Sequence, residues 1–179
     1  MNSLRHLHPK RPNALGLDFG RVIMCPPDRV EGADTEFLTL PEDDALAIAP
    51  PAGAFEIIAS LVLKFQGRVH IVSKAGPRIQ RLTQEWLQAH HFFEATGMPR
   101  SALHFCRERK EKRDHALKLK LTHFVDDRLD VLEHLKDVVP HRYLFGSHVQ
   151  VPLGTVHVPD WPALQRELLP VDGDELRAE

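Results

Sequence analysis

The chain has 179 residues, of which 42% are hydrophobic and 27% charged, and a formal net charge of -2. That length supports one core burying roughly two thirds of the surface the unfolded chain exposes, and the composition excludes a disordered or fibrous chain. The weak acidity excludes a protein that grips nucleic acid mainly by neutralising its phosphates, and leaves nucleotide-sized substrates open.

The N-terminal stretch MNSLRHLHPKRP carries positive charge without the apolar run of a signal peptide. No apolar stretch reaches the roughly 20 residues needed to span a bilayer, so a cytoplasmic protein is expected. Cys25 and Cys106 lack both the CxxC spacing of a thiolate zinc site and the density of a disulfide framework, and are expected as free thiols. The twelve histidines are scattered, and neither His6 and His8 nor His90 and His91 has the HExxH arrangement of a zinc helix, so no histidine metal site is expected.

The first patterned element is ALGLD, an apolar run ending at Asp18, as a buried strand does at the carboxyl edge of a parallel sheet. Residues 25–51 then turn to Pro, Asp and Glu with little periodicity and predict a lid-like loop, longer than the two to six residues usual in α/β connections. AGAFEIIASLVLKF has apolar residues at helical spacing, and GRVHIVS is a strand ending at Ser73. PRIQRLTQEWLQAHHFF is predicted as one helix, with Ile79, Leu82, Trp86 and Leu87 on one side and Pro77 in its first turn. After the turn-like EATGMPRSA come the strand LHFC and the charged RERKEKRDHALKLK, helical in its later part. THFVDD is a strand, RLDVLEHLKD a helix, HRYLFG a strand and WPALQRELL a helix, followed by a polar tail at 171–179. Alternating elements without a repeat or linker predict a single domain, with its core at about 14–160, of doubly wound parallel α/β architecture.

Four features fall in order near strand ends: Asp18, Ser73, a lysine at Lys110 or Lys112, and the pair Asp126 and Asp127. A parallel sheet brings such residues to one crevice at its carboxyl edge. Clustered carboxylates repel unless a cation joins them, and hard oxygen donors suit Mg²⁺. A phosphoryl group there meets the metal, a lysine and a hydroxyl, while an aspartate is placed to attack phosphorus. A receiver domain uses similar groups, but its acid pair follows the first strand, whereas here the pair comes last.

These motifs, LGLDFGRVI, HIVSKAG, ERKEKRD and THFVDDRLDV, resemble the four motifs of the haloacid dehalogenase superfamily over roughly residues 14–145. The resemblance implies a Rossmann-like fold with Asp18 as nucleophile, Ser73 as phosphate hydrogen-bond donor and Lys112 or Lys110 as phosphate clamp. It also implies a Mg²⁺ site of Asp18, Asp126, Asp127 and the Gly20 backbone carbonyl, with Asp130 in a supporting role. Since only the 25–51 loop occupies the position of a cap, a minimal cap and an open site are implied. VDDRLDVL and APPAGAFEII are similar to the deoxyribonucleotidase-like branch.

The expected activity is hydrolysis of a phosphomonoester, a nucleotide or another small phosphorylated metabolite, through an aspartyl phosphate. Arg21, Lys74 and Ser73 are candidates to bind the substrate, with Arg78 beside them. One departure stands out: Gly20 occupies the position where many members of the superfamily carry a second Asp as general acid. Loss of such an acid costs on the order of 10²–10⁴-fold in rate. Asp28, Glu31 or Asp34 of the loop are candidate substitutes. The alternative reading is a catalytically impaired phosphate-binding or regulatory protein of the same fold. The expected partner is a small phosphorylated substrate, with no membrane and no strong nucleic-acid signal; an open site also favours larger substrates or a cap supplied by a partner.

Overall fold

A computed structural model describes residues 12–25 and 40–169. The loop acids Asp28, Glu31 and Asp34, together with His6, His8 and the 171–179 tail, lie outside the described residues.

Six parallel strands form one sheet in the order β3-β2-β1-β4-β5-β6. They are β1 (Leu15–Leu17), β2 (Val69–Lys74), β3 (Leu103–Cys106), β4 (His123–Asp126), β5 (His141–Phe145) and β6 (Val156–Val158). β1 and β4 are buried along their whole length, as strands covered on both faces must be. The chain runs outward from β1 to β3, then returns to place β4 on the other side of β1. The order therefore reverses between β1 and β4, where a doubly wound sheet leaves a crevice at its carboxyl edge. β6 was not anticipated as a strand. Its short apolar alternation is too weak a signal alone, and pairing of Val156 and Val158 with Tyr143 and Phe145 of β5 organises it.

Helices cover both faces, giving the doubly wound architecture expected. On one face α2 (Ala54–Lys64), α3 (Pro77–Ala89), α4 (Phe92–Thr96) and α7 (Trp161–Leu168) pack Ile58, Leu61, Trp86, Phe92 and Trp161 against Leu15, Leu17, Ile71 and Phe145. On the other, α5 (Lys112–Leu119) and α6 (Leu129–His134) bring Ala116, Val131 and Leu132 onto Val72, Phe124 and Leu144. Gly16 of β1 makes the second face possible. A Cβ there would lie 2.5 Å from the Phe124 ring and 2.7 Å from Leu121, so the buried Phe124 occupies the space a side chain would need.

Two expectations are corrected. The 25–51 stretch is not wholly loop, because α1 (Glu42–Ala47) lies within it. Its first turn holds Glu42, Asp43 and Asp44, acids that favour a helix N-terminus. α3 anchors it: Arg81 pairs with Glu42, and the Trp86 indole donates to the Ile48 carbonyl at 2.8 Å. The long helix expected over PRIQRLTQEWLQAHHFF ends at Ala89, and α4 begins at Phe92. His91 adopts a left-handed conformation, φ 53°. That turn lets Phe92 enter the core against Phe55, with ring centroids 5.1 Å apart.

Among the described residues no helix is long and apolar enough to cross a membrane.

Candidate functional site

Asp18 follows β1 directly and Asp126 ends β4, so the reversal of strand order sets their carboxylates side by side. Lys112 joins them. Its Nζ donates to Asp18 Oδ1 at 2.8 Å and to Asp126 Oδ2 at 2.7 Å, and the lysine is only 2% exposed. The other Asp126 oxygen accepts from the Arg128 backbone N–H at 2.9 Å.

The charged run after β3 supplies this lysine through its local structure. Arg109–Glu111 form a 3₁₀ turn in which the Glu111 carboxylate accepts from the backbone N–H groups of Arg107 and Glu108. This capping box sets the register in which α5 begins. Lys112, its first residue, then faces the sheet, with Nζ 5.8 Å from the centroid of the Phe124 ring. Lys110 faces outward, 67% exposed, and pairs with Glu108 at 2.8 Å. Of the two candidate lysines, Lys112 is in the site and Lys110 is not.

Asp127 adds a third carboxylate. Asp18, Asp126 and Asp127 each offer an oxygen within 4.8 Å of the others. Arg21 Nε pairs with Asp127 Oδ2 at 3.2 Å. Arg21 sits at φ 62° in the turn after Asp18, a left-handed conformation that costs about 1–2 kcal/mol outside glycine. Arg21, a candidate substrate contact, thus stands against the carboxylate cluster through Asp127.

Burial raises the Asp126 carboxyl well above the usual carboxylate range, with Asp18 and Asp127 adding to the rise and Lys112 opposing it. Burial, reinforced by Asp18, pushes Asp127 up to about 6 against the pull of Arg21. For Lys112, burial opposes the charge, but Asp126 and Asp18 outweigh it and hold the ammonium above the ordinary lysine value. Burial is the larger cause of the raised carboxyl values, and crowding adds to it: the buried ammonium, the partly exposed Arg21 guanidinium and Arg128 do not fully offset three carboxylates held together. A cation would relieve the excess. The all-oxygen donor set fits Mg²⁺ better than a thiolate- or imidazole-seeking metal.

The remaining expected residues are placed less tightly. Ser73 is buried at the end of β2, one strand from Asp18, and its carbonyl accepts from the Cys106 thiol at 3.7 Å. Burial pushes that thiol up to about 11, which makes Cys106 a packing group rather than a nucleophile. Cys25 is half-buried and forms no disulfide with Cys106. Lys74 is exposed beyond Ser73, and Arg78 pairs with Glu42 of α1 at 3.7 Å. Asp130, half-exposed, pairs with Arg128 at 3.1 Å and stands outside the carboxylate cluster. Gly20 lies in the turn after Asp18, bridged to Met24, and a Cβ there would meet nothing within 4 Å.

No known family model matches the chain, and no curated protein matches it. An apolar cleft of about 220 Å³ opens at the carboxyl ends of β5 and β6, between Cys25, Pro51, Phe145 and Trp161, and none of the three carboxylates lines it. Two features of the site have no marker in the sequence: the Arg128 amide that orients Asp126, and the left-handed turn that directs Arg21 at Asp127.

Proposed function

We propose that the chain is a Mg²⁺-dependent phosphomonoester hydrolase of the haloacid dehalogenase type, acting through an aspartyl phosphate on Asp18. The observation that carries this reading is the buried Lys112 bridge between Asp18 and Asp126, next to Asp127 and at the switch point of the sheet. Asp18, Asp126 and Asp127 would hold the metal, with the Gly20 carbonyl in the adjoining turn. The bound metal supplies positive charge against the carboxylates and the phosphoryl oxygens.

Asp18 attacks phosphorus, the ester P–O bond breaks, and the alcohol oxygen departs. Water then cleaves the acyl phosphate, returning the Asp18 carboxylate and inorganic phosphate. Lys112, held protonated, balances the charge of Asp18 and of the phosphoryl group. Ser73 at the neighbouring strand end is the proposed hydroxyl donor to phosphate. Gly20 has no proton to give the departing oxygen, so the reading favours esters of acidic alcohols and phenols.

The test is release of phosphate from p-nitrophenyl phosphate with and without Mg²⁺. Activity that requires the metal and disappears in Asp18→Asn supports the reading. Intact Mg²⁺ binding with no turnover across a broad phosphate panel refutes it.

The open space at Gly20 favours a second reading, a phosphate-binding protein whose hydrolysis is impaired. Gly20→Asp meets no steric obstacle. On this reading the substitution raises turnover by about 10²-fold or more, the usual scale of general-acid catalysis. An unchanged rate removes it.

A further inference from the structure

Of the twelve histidines in the sequence, three that lie far apart along the chain come together in the fold. His70 of β2, His104 of β3 and His115 of α5 form a row at the β3 edge of the sheet, apart from the carboxylates. His70 Nδ1 and His104 Nε2 are 3.2 Å apart. The His104 ring lies between its neighbours, with centroids 5.3 Å from His70 and 5.7 Å from His115. All three side chains are partly accessible.

The placement follows from strand register. Val72 aligns with His104, and residues two apart on a strand share a face, so His70 lies diagonally from His104 on that face. α5 covers it through Ala116, and His115 is the adjacent residue.

Two nitrogens bound to one tetrahedral zinc at about 2.0–2.1 Å stand roughly 3.3 Å apart, close to the separation already present. A metal would replace the proton shared by the two rings, and the donor ring would move its N–H to its other nitrogen, so no proton need be released. Burial pushes His70 down to about 4 and also lowers His104, each with help from a neighbouring histidine. Both are therefore neutral ligands at pH 7. Arg68 and Lys118, which also depress these rings, oppose a cation and set a limit on affinity.

We propose that His70 and His104, completed by His115 after a rotation of its partly buried side chain, form a second metal site for a borderline transition ion such as Zn²⁺. The site ties β2 and β3 to α5, the helix whose first residue is Lys112. It is independent of the phosphatase reading, because it uses none of the carboxylates.

The experiment titrates full-length protein with Zn²⁺ by calorimetry, in an Asp18→Asn background that weakens the carboxylate site, and follows thermal unfolding in parallel. One equivalent is expected to bind and to raise the melting temperature. His104→Gln and His70→Gln are expected to lose that equivalent, and His115→Ala, on a partly accessible helix position, to weaken it at least about tenfold. Circular dichroism checks that each variant is folded. Binding of Cu²⁺ with the electron-spin signature of two or more nitrogen ligands, lost in His104→Gln, gives a second readout.

Unchanged Zn²⁺ affinity in a folded His104→Gln or His70→Gln overturns the site and assigns the binding to other histidines. Should those two fail to fold, unchanged affinity in His115→Ala overturns it equally. No Zn²⁺ bound in the Asp18→Asn background also refutes it, whatever the enzyme assay shows.

Discussion

Replacing Lys112 by Met removes the single ammonium buried among the three carboxylates while preserving most of the side chain's volume. Its two contacts are 2.8 and 2.7 Å long, and at an effective dielectric of about 20 each represents roughly 6 kcal/mol of gross attraction. Two effects reduce the net loss. The lysine no longer pays for its own desolvation, and the variant can protonate Asp126. Loss of one partner from a buried ion pair then costs about 3–5 kcal/mol, which for a chain of this length lowers the melting temperature by roughly 6–20 °C. The defect should depend on pH. Carboxyls whose folded pKa is raised bind more protons folded than unfolded, so they destabilise the fold as pH rises through the raised value, and that penalty disappears below the unfolded value near 4. Urea unfolding of the wild type and Lys112→Met at pH 8 and pH 5.5 measures this, with Mg²⁺ added in parallel. The variant should be most deficient at pH 8, and Mg²⁺ should restore part of the loss. A variant as stable as the wild type at pH 8, or one that Mg²⁺ leaves unchanged, refutes the claim that the site carries excess negative charge.

Gly16→Ala forces a Cβ against Phe124 and Leu121 and should cost about 1–3 kcal/mol as overpacking, read from urea midpoints at constant m-value; a neutral effect would show that the Phe124 ring can move. Burial, with His141 and Lys64 contributing, pushes His123 down to about 4. Its folded pKa lies below the unfolded 6.5, so its contribution is full above pH 6.5 and lost as pH falls towards 4, by roughly 1–2 kcal/mol after solvent screening. Imidazole proton resonances should therefore show His123 neutral down to about pH 5, and a midpoint near 6.5 would contradict its burial.

How much of this could be read from the chain follows from the range of each interaction. Strands such as ALGLD and THFVDD, and the helix 54–64, are set by local apolar pattern, and the structure has them where the pattern puts them. Elements that depend on partners were hidden. β6 forms against β5, α1 is held by Arg81 and Trp86 of α3, and His91 takes a left-handed conformation so that two phenylalanines reach the core. In none of these cases does the local sequence outweigh the tertiary contact.

The order of Asp18, Ser73, the lysine pair and Asp126-Asp127 pointed to one carboxyl edge of a parallel sheet, because an acid at the end of an apolar strand has few other places to go. Sequence alone could not choose between Lys110 and Lys112, two residues apart in a run of charges. Helix register, set by the Glu108 and Glu111 capping box, made that choice. Nor could it give Arg21 its partner or bring His70, His104 and His115 together, because a turn conformation and a strand register determine those contacts. Residue types and their order determined which groups reach the carboxyl edge, and tertiary packing decided which of them touch.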